Sequence, residues 1–307
     1  RHLGPVRAAL RAGDPPVLDG VRRALRHRLP DALRPTLDEL AGDGDALRAA
    51  TAMDVLAFHR LPIAHGDRLH ADPAAAVRCL AFGVAQRTGR LPDTALRSAL
   101  EHADAAVRRA ALQAAAWTGW PELLAFCRAS ASRATDPDPV ALSMLAVLGC
   151  AEDAATLQRA LARPELAGVA VQALGALGLP TSVPLLLDLM RDPKLGVPAA
   201  KAYRRLTGSD AAFGEKPFPP PAAEGEDASE ELPPAPDAAR ADWRRRAASM
   251  PASSTCQHGR PMAADTLPPH LDALPLDSRR DVYLRLRASR ATVPELELEA
   301  LARQQRR

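Results

Sequence analysis

Aromatic side chains are scarce in this 307-residue chain, and lysine is scarcer still. Phe, Trp and Tyr make up 3% of the residues, and the lysines are Lys194, Lys201 and Lys216. So few aromatic residues exclude a β-sandwich or barrel rich in aromatic pairs. Hydrophobic residues nevertheless make up 47% of the chain, mostly as Ala, Leu and Val. Because that share can offset the ordering entropy of folding, a disordered chain is excluded as well.

An excess of one charge is lacking too, since 40 basic residues face 37 acidic ones and the net charge is +3. The charge therefore does not demand a nucleic-acid partner. Four cysteines, at positions 79, 127, 150 and 256, form no CxxC pair, and we expect them to be small buried side chains in a reducing compartment. No run of 18 apolar residues predicts a membrane span, and the first residues lack the apolar segment of a signal peptide. A cytoplasmic protein with no membrane partner is expected.

The sequence motifs of common enzymes are absent. There is no nucleophile elbow, Walker loop, HExxH helix or dinucleotide-binding glycine fingerprint, and no His-Glu dipeptide of the kind that di-iron enzymes need. Three short segments hold candidate metal ligands: His65, Asp67 and His70; Cys256 and His258; Asp43 and Asp45. Each lacks further ligands at a suitable spacing and is more simply a turn. The sequence therefore predicts no enzyme, no cofactor and no metal.

An internal repeat organises the middle of the chain. Five glycines are spaced by 30, 30, 29 and 30 residues, and an alanine stands eight residues before each. The glycines are Gly89, Gly119, Gly149, Gly178 and Gly208, and the alanines are Ala81, Ala111, Ala141, Ala170 and Ala200. Such self-similarity is typical of repeat architectures.

Each repeat is interpreted as a pair of helices. The glycine ends one helix in the left-handed conformation that only glycine adopts without steric cost. A second helix of about twelve residues follows, and the pairs Asp72-Pro73, Asp136-Pro137 and Asp192-Pro193 are predicted to cap the next one. The recurring alanine would let neighbouring helices approach closely. One pair cannot bury its own apolar face, so stacking into an all-α solenoid of about five to six helical hairpins is predicted.

Composition divides the chain into four segments. Residues 1–59 are predicted to be a helical N-terminal cap, 60–212 the repeats, 213–239 a Pro-rich acidic linker and 240–307 a short helical tail. The linker carries a net charge of −6 and the tail +5. These charges either attract one another or are simply solvated. In the first case the tail folds back, and Trp243 becomes an apolar anchor.

The helical pairs, with the segment VRRAALQA and a terminal glycine, resemble the HEAT-like repeats first named in phycobilisome lyases. Tetratricopeptide and ankyrin repeats have longer periods and signatures that this chain lacks. The whole layout resembles a poorly characterised bacterial HEAT-repeat family encoded near type VI secretion genes. The matching pieces are the last repeat, LPTSVPLLLDLMRDPKLGVPAAKAYRRLTGSD, a Pro-rich acidic loop, Trp243, and the stretch Gly259-Arg260-Pro261. The resemblance spans roughly residues 60 to 290 and departs from the family at SSTCQHGRP, which has no aromatic residue before the glycine.

Candidate binding residues follow from the repeat. Positions ten, six and three residues before each glycine share one helical face, which is small and polar. In HEAT-like stacks this row commonly lines the concave surface, and Arg and Trp are enriched where proteins bind each other. The alternative interpretation is an ordinary solvated helix face. The candidates on or beside the row are Arg78, Arg108, Arg109, Gln113, Trp117, Gln172, Arg204 and Arg205.

The expected function is a non-enzymatic protein-binding scaffold or adaptor. The resemblance implies an effector chaperone or accessory protein of a bacterial type VI secretion system, with a secreted effector or an apparatus component as the partner. The alternative is a nucleic-acid-binding or base-processing HEAT-like solenoid, since Trp117, Trp120, Arg108 and Arg109 imitate part of a glycosylase cleft. Salt dependence separates the two hypotheses, because phosphate binding weakens steeply with ionic strength.

Overall fold

A computed structural model describes residues 3–63, 66–133, 135–215, 232–252, 254–262 and 270–289. Its helices are α1 Gly4–Ala12, α2 Pro15–His27, α3 Arg34–Ala41, α4 Ala46–Phe58, α5 Ala75–Thr88, α6 Asp93–Leu100, α7 Ala105–Thr118, α8 Leu123–Ala131, α9 Pro139–Leu148, α10 Ala154–Ala160, α11 Pro164–Leu177, α12 Val183–Leu189, α13 Gly196–Thr207, α14 Pro236–Arg246 and α15 Leu276–Ala288. Two short strands, β1 Cys256–Gln257 and β2 Arg260–Pro261, pair antiparallel. The predicted all-α class is confirmed for the described part of the chain. None of the helices described is both long and apolar enough to cross a bilayer.

The chain divides into two compact units. The first contains the described residues up to Leu123, and the second contains those from Leu124 onwards. This division falls inside the predicted repeat segment 60–212.

The first unit is built around α4. Every residue from Ala49 to Phe58 is buried, because this helix packs against α2, α3 and α5. Its start is fixed by Asp45, whose side chain accepts a hydrogen bond from the backbone N–H of Arg48 at 2.9 Å. Helix α5 packs in turn against α7, which also contacts α6. Burial of α4 follows from its apolar sequence, in which Asp54 is the one charged residue after Arg48.

In the second unit α11 packs between α9 and α13, while α10 and α12 pack against α11 and α13. The α11–α13 contact is very close, since a Cβ on Gly175 would lie 2.7 Å from the Cα of Ala202. Both residues belong to the row that was predicted to line a groove. They form a helix–helix contact instead, so their small size serves packing. That part of the prediction was wrong.

Four of the five repeat glycines end their helices as predicted. Gly89, Gly119, Gly178 and Gly208 have φ values of +68, +70, +74 and +72°. Gly149 does not, because its backbone is extended, with φ −76° and ψ −176°. A Cβ there would lie 2.6 Å from the carbonyl oxygen of Leu145 and 2.7 Å from a carboxylate oxygen of Asp153. Glycine is therefore needed at position 149 for space.

The repeated alanines are all packing positions. Ala81 is 2% exposed, and the other four are fully buried.

Two local predictions were wrong. The second helices α6, α8, α10 and α12 have seven to nine residues, shorter than the predicted twelve. The Asp-Pro pairs are not caps: Asp72 and Asp192 accept backbone hydrogen bonds in turns before their helices. The cap of α9 is Asp138, whose side chain accepts from the N–H of Val140 at 3.0 Å. It is followed by Pro139, so the pair that caps α9 is Asp138-Pro139, two residues after the predicted Asp136-Pro137.

The described part of the tail folds back onto the second unit. Helix α14 begins at Pro236, inside the predicted linker, and packs on α12. The buried Tyr203 hydroxyl of α13 donates to Asp242 of α14 at 2.9 Å. Trp243, the expected anchor, is only half-buried. Tyr203 and Asp242 therefore provide the buried contact that Trp243 was expected to make.

The two ends of the acidic segment pair with each other. The N–H of Gly214 donates to the carbonyl of Pro233 at 2.8 Å, and the N–H of Ala235 donates to that of Ala212 at 2.7 Å. Residues 216–231, which carry most of the predicted acidic charge, lie outside the described residues. Attraction between this charge and the tail therefore stays a prediction.

Candidate functional site

The candidate residues fall into two groups. Arg78, Arg108, Arg109, Gln113 and Trp117 lie on α5 and α7 of the first unit, and Gln172, Arg204 and Arg205 lie on α11 and α13 of the second. Each group is described within its own unit.

Arg78 and Arg108 occupy the same position of successive repeats and make the same contact. The Nε of Arg78 donates to the carbonyl of Asp72 at 2.5 Å. One guanidinium nitrogen of Arg108 lies 2.8 Å from the carbonyls of both His102 and Ala103. Each arginine thus holds the turn that precedes its own helix. Their recurrence is explained by this local role, so neither is retained as a partner contact.

One face of α7 reaches the surface of the first unit. Arg109 is exposed, and Gln113, one turn further along, is half-buried. Trp117 follows at the next turn and is also half-buried. Residues i and i+4 lie on the same side of a helix, so the three side chains form one stripe. We call Arg109, Gln113 and Trp117 the α7 stripe.

On the second unit, Gln172 is exposed on α11. Arg204 is exposed on α13. Its guanidinium carbon lies 4.8 Å from the ring centroid of Phe213, and one of its guanidinium nitrogens lies 3.5 Å from a carboxylate oxygen of Asp210. Both contacts lie near the surface and leave Arg204 accessible to solvent.

Arg205 is used within the chain. Its Nε donates to the side-chain oxygen of Gln257 at 3.1 Å, and its guanidinium forms an ion pair with Asp281 of α15. Gln257 is itself buried, and its amide nitrogen donates to the carbonyl of Ala176 at 2.7 Å. Arg205 therefore holds the tail against α11 and α13 and does not face an open groove as expected.

The β1–β2 hairpin caps the carboxyl ends of two repeat helices. The N–H of Cys256 donates to the carbonyl of Gly178 at 2.7 Å, and the N–H of Gly259 donates to that of Leu206 at 2.8 Å. The N–H of His258 donates to the carbonyl of Arg205 at 2.6 Å. Helix ends leave such carbonyls without intrahelical partners. The hairpin supplies donors from the backbone, and this is the role of residues 256–259 within the segment SSTCQHGRP.

Helix α15 covers the neighbouring helix α9. The Nε of Arg285 donates to the carbonyl of Val147 at 2.6 Å, and another of its nitrogens donates to the Thr255 hydroxyl at 3.1 Å. Burial lowers the pKa of Arg285, and the charge of Asp281 opposes that shift. A tail arginine is thus inserted at the carboxyl end of α9, where the carbonyl dipoles favour a cation.

A buried ion cluster in the first unit was not foreseen from the sequence. Asp54 of α4 has no exposed surface, and three guanidiniums surround it. Arg26 binds its two carboxylate oxygens at 2.9 and 2.7 Å, Arg87 lies at 3.1 Å and Arg22 at 3.3 Å. Both Arg26 and Arg87 also lie 5.4 Å from the ring centroid of Phe58. The signal was a single acid in an apolar helix, with Arg22 and Arg26 one turn apart on α2.

Burial by itself would raise the pKa of Asp54. The hydrogen bonds from Arg26, with the charges of Arg87, Arg26 and Arg22, lower it below its ordinary value and keep the carboxyl ionised.

The predicted turns and cysteines are placed as follows. Asp43 accepts from the N–H of Asp45 at 2.9 Å, as in a simple turn. His258 hydrogen-bonds with the Ser278 hydroxyl at 2.9 Å, while Cys256 is buried. His65, which belongs to the candidate segment with Asp67 and His70, lies outside the described residues. In the part of the chain described here, no three His, Cys, Asp or Glu side chains form a metal-binding group.

Cysteine burial was predicted in part correctly. Cys127 and Cys256 are buried, but Cys79 is half-buried and Cys150 is exposed. Burial raises the pKa of the Cys127 thiol to about 12. At Cys150 the pKa is raised by the side-chain hydrogen bond with Glu152, by burial and by Asp153. Thiols with raised pKa values are poor nucleophiles at neutral pH.

No protein-family model matches the chain, and no curated protein matches it significantly in sequence.

Proposed function

We propose that the helical pairs are HEAT-like repeats of an α-solenoid and that the chain acts by binding another protein, without chemistry of its own. Three features support the repeat interpretation: the 30-residue spacing, the buried alanines and the packing of α5 on α7, of α9 on α11 and of α11 on α13. The resemblance to a family encoded near type VI secretion genes adds the proposal that the partner is a secreted effector or a component of that apparatus.

The observation that carries the proposal is the way the second unit binds its own tail. Backbone donors of the hairpin meet carbonyls at the ends of α11 and α13, and Arg285 does the same at α9. These helices therefore present groups that bind a peptide segment lying across them. Stacked repeats form extended concave surfaces of the kind that bind extended partners.

The proposal that the chain is not catalytic is supported by the structural roles of its perturbed titratable groups. Asp54 and Asp242 have lowered pKa values, and each is bound by arginines in a structural cluster. Asp153 is likewise held by Arg128 at 2.8 Å and accepts from the N–H of Cys150 at 3.0 Å. Perturbed titratable groups often mark active sites, but structural ion pairs perturb them too. Here the structural role accounts for the shifts.

We place the binding surface on the α7 stripe. It combines a charge at Arg109, an amide at Gln113 and a large apolar ring at Trp117, and Arg and Trp are among the residues that dominate interface energetics. Arg109 is more accessible than Arg78, Arg108 and Arg205, whose side chains hold turns or the tail.

The test is quantitative capture of partners from the native cell, after nuclease treatment, by the wild-type chain and by the double variant Arg109→Glu, Gln113→Ala. We expect capture of the partner to be lost while helicity and melting temperature stay nearly unchanged. The variant Arg133→Glu, which makes the same charge change at another exposed arginine, should retain it.

Undiminished capture by the folded double variant would move the binding surface away from the α7 stripe. The nucleic-acid hypothesis predicts a different pattern: binding that nuclease removes and that falls steeply as salt rises from about 50 to 200 mM. That pattern would contradict a protein partner.

A further inference from the structure

A cavity of about 440 Å³ opens in the first unit, where the end of α4 meets the last turns of α5. This volume lies in the range of small-molecule sites, which is roughly 300–1,000 Å³. Ala57, Leu61, Ile63 and Val84 give it apolar walls. The cavity and the protein-binding surface proposed above are separate features of this unit.

Three arginines line the same cavity, Arg60, Arg87 and Arg90. Asp67 is the acidic residue among the lining side chains, and it is exposed. Arg87 also reaches the buried Asp54, on which Arg22 and Arg26 already converge. Because Arg22 is also paired with Asp19, the positive potential of the cavity arises from its own lining, in which three arginines face Asp67. Such a potential favours an anion.

His70 lies in the wall of this cavity and is only 6% exposed. Its ring packs against Phe82, with 4.9 Å between the ring centroids. Its Nδ1 is buried, and no residue in the described part of the chain hydrogen-bonds with it. Burying a polar atom without a partner is unfavourable. A small rotation of the His70 ring towards the cavity would let a ligand oxygen provide the missing partner.

The backbone of Arg60 is strained. This residue follows α4 with φ +56°, the left-handed conformation that the repeat glycines adopt at the ends of α5, α7, α11 and α13. Glycine would take up this conformation without strain, whereas arginine does not. The side chain that the chain retains at this strained position lines the cavity.

We propose that this cavity binds a small organic anion, with an apolar body against Leu61, Ile63 and Val84 and a phosphate or carboxylate head at Arg60, Arg87 and Arg90. His70 Nδ1 hydrogen-bonds with the head group. Arginine suits this role because its planar guanidinium binds phosphate and carboxylate oxygens in pairs. The chemistry shared by the two head groups is an anionic oxygen, and the probes below distinguish them.

The experiment is isothermal titration of the full chain with phenyl phosphate, benzoate, inorganic phosphate and phenol. We expect saturable binding of phenyl phosphate, benzoate or both, weaker binding of inorganic phosphate and none of phenol. The stronger of the two organic anions identifies the head group. Inorganic phosphate that binds as tightly as phenyl phosphate would overturn the apolar part of the proposal, and the absence of saturable binding by both organic anions would overturn it entirely.

Three variants locate the site. Arg90→Gln and His70→Phe should each weaken binding about tenfold or more, which is the loss expected when a charge-assisted or buried hydrogen bond is removed. Arg60→Gly should weaken it similarly, yet raise the melting temperature, because glycine relieves the left-handed strain. Arg34→Gln, which removes an exposed charge from the same unit, is the matched control and should bind like wild type.

These variants separate a ligand role from a folding role. If Arg60 is retained only for folding, Arg60→Gly lowers the melting temperature and leaves the affinity unchanged, and the proposal fails. Equal affinity in wild type, Arg90→Gln and His70→Phe would place any binding elsewhere and would overturn it as well.

Discussion

Arg87 and Arg205 lie in the last turns of two repeat helices, α5 in the first unit and α13 in the second, and they bind different kinds of partner. Arg87 reaches the buried carboxylate of Asp54 at 3.1 Å. Arg205 binds Gln257 and Asp281 of the tail. The first contact closes an ion cluster in the interior of its unit, whereas the second holds two tail residues that lie 52 and 76 residues further along the chain.

The glycines that end these two helices, Gly89 and Gly208, also differ in what surrounds them. Among the described residues, nothing lies within 4 Å of a Cβ built on Gly89. A Cβ on Gly208 would lie 2.6 Å from the carbonyl oxygen of His258. The repeat glycine therefore supplies backbone conformation alone at Gly89, and both conformation and room for the hairpin at Gly178 and Gly208.

The largest effect is expected from breaking the buried cluster of the first unit. Asp54→Asn leaves Arg22, Arg26 and Arg87 without their common counter-charge, and removing one side of a buried ion pair costs about 3–5 kcal/mol. Urea unfolding measures this loss. Asp38→Asn is the control, because its pair with Arg34 is exposed and spans 3.8 Å, so a change within about 0.5 kcal/mol is expected. Equal losses in the two variants would show that the cluster does not hold the unit together.

The same cluster predicts a dependence on pH. The pKa of Asp54 is lowered in the folded chain, so its contribution is complete above the unfolded value of about 3.9 and is lost as pH falls below it towards the folded pKa. Melting temperatures measured between pH 6 and pH 3 should therefore fall less steeply for Asp54→Asn than for wild type. Parallel curves would contradict this.

A matched pair of glycine variants sharpens the comparison. Gly178→Ala adds the strain of a left-handed alanine and presses its methyl against the Cys256 carbonyl, so we expect a loss of about 2–4 kcal/mol. Gly89→Ala adds the strain alone and should cost about 1 kcal/mol. Denaturant unfolding compares the two. The interpretation fails if the losses are the same, since the hairpin contact would then contribute nothing.

The alanine column should behave alike in both units. Ala81 and Ala170 are buried at the same repeat position, and leucine at either one overpacks a helix contact by about 1–3 kcal/mol. Ala162→Leu, at an exposed position, is the control and should have little effect on the melting temperature. A large difference between Ala81→Leu and Ala170→Leu would mean that the repeat does not define one packing position.

The sequence was informative where structure is set locally. Helix ends at Gly89, Gly119, Gly178 and Gly208 follow from the backbone freedom of glycine, and the alanine spacing follows from helix packing. Gly149 was misassigned because its requirement is room beside Asp153, which depends on a contact and not on φ. A periodic pattern cannot separate the two causes.

Contacts between distant residues were harder to predict. The two-residue turn at His258 and Gly259, with φ +50 and +74°, is a weak hairpin signal, and nothing in it points to Gly178 or Leu206. The cluster at Asp54 was visible only as a lone acid in an apolar helix. Of the candidate site residues, Arg78, Arg108 and Arg205 have internal roles because they meet carbonyls or tail side chains that a helical-face argument does not include.

The backbone pairing of Gly214 with Pro233 and of Ala235 with Ala212 also makes the chain suitable for engineering. These hydrogen bonds fix both ends of the segment between α13 and α14, so its length is decoupled from the position of either helix. Doubling the length of a flexible loop costs only about 0.6 kcal/mol of closure entropy. An epitope tag or a fluorescent domain inserted between residues 216 and 231 should therefore leave both α13 and α14 in place.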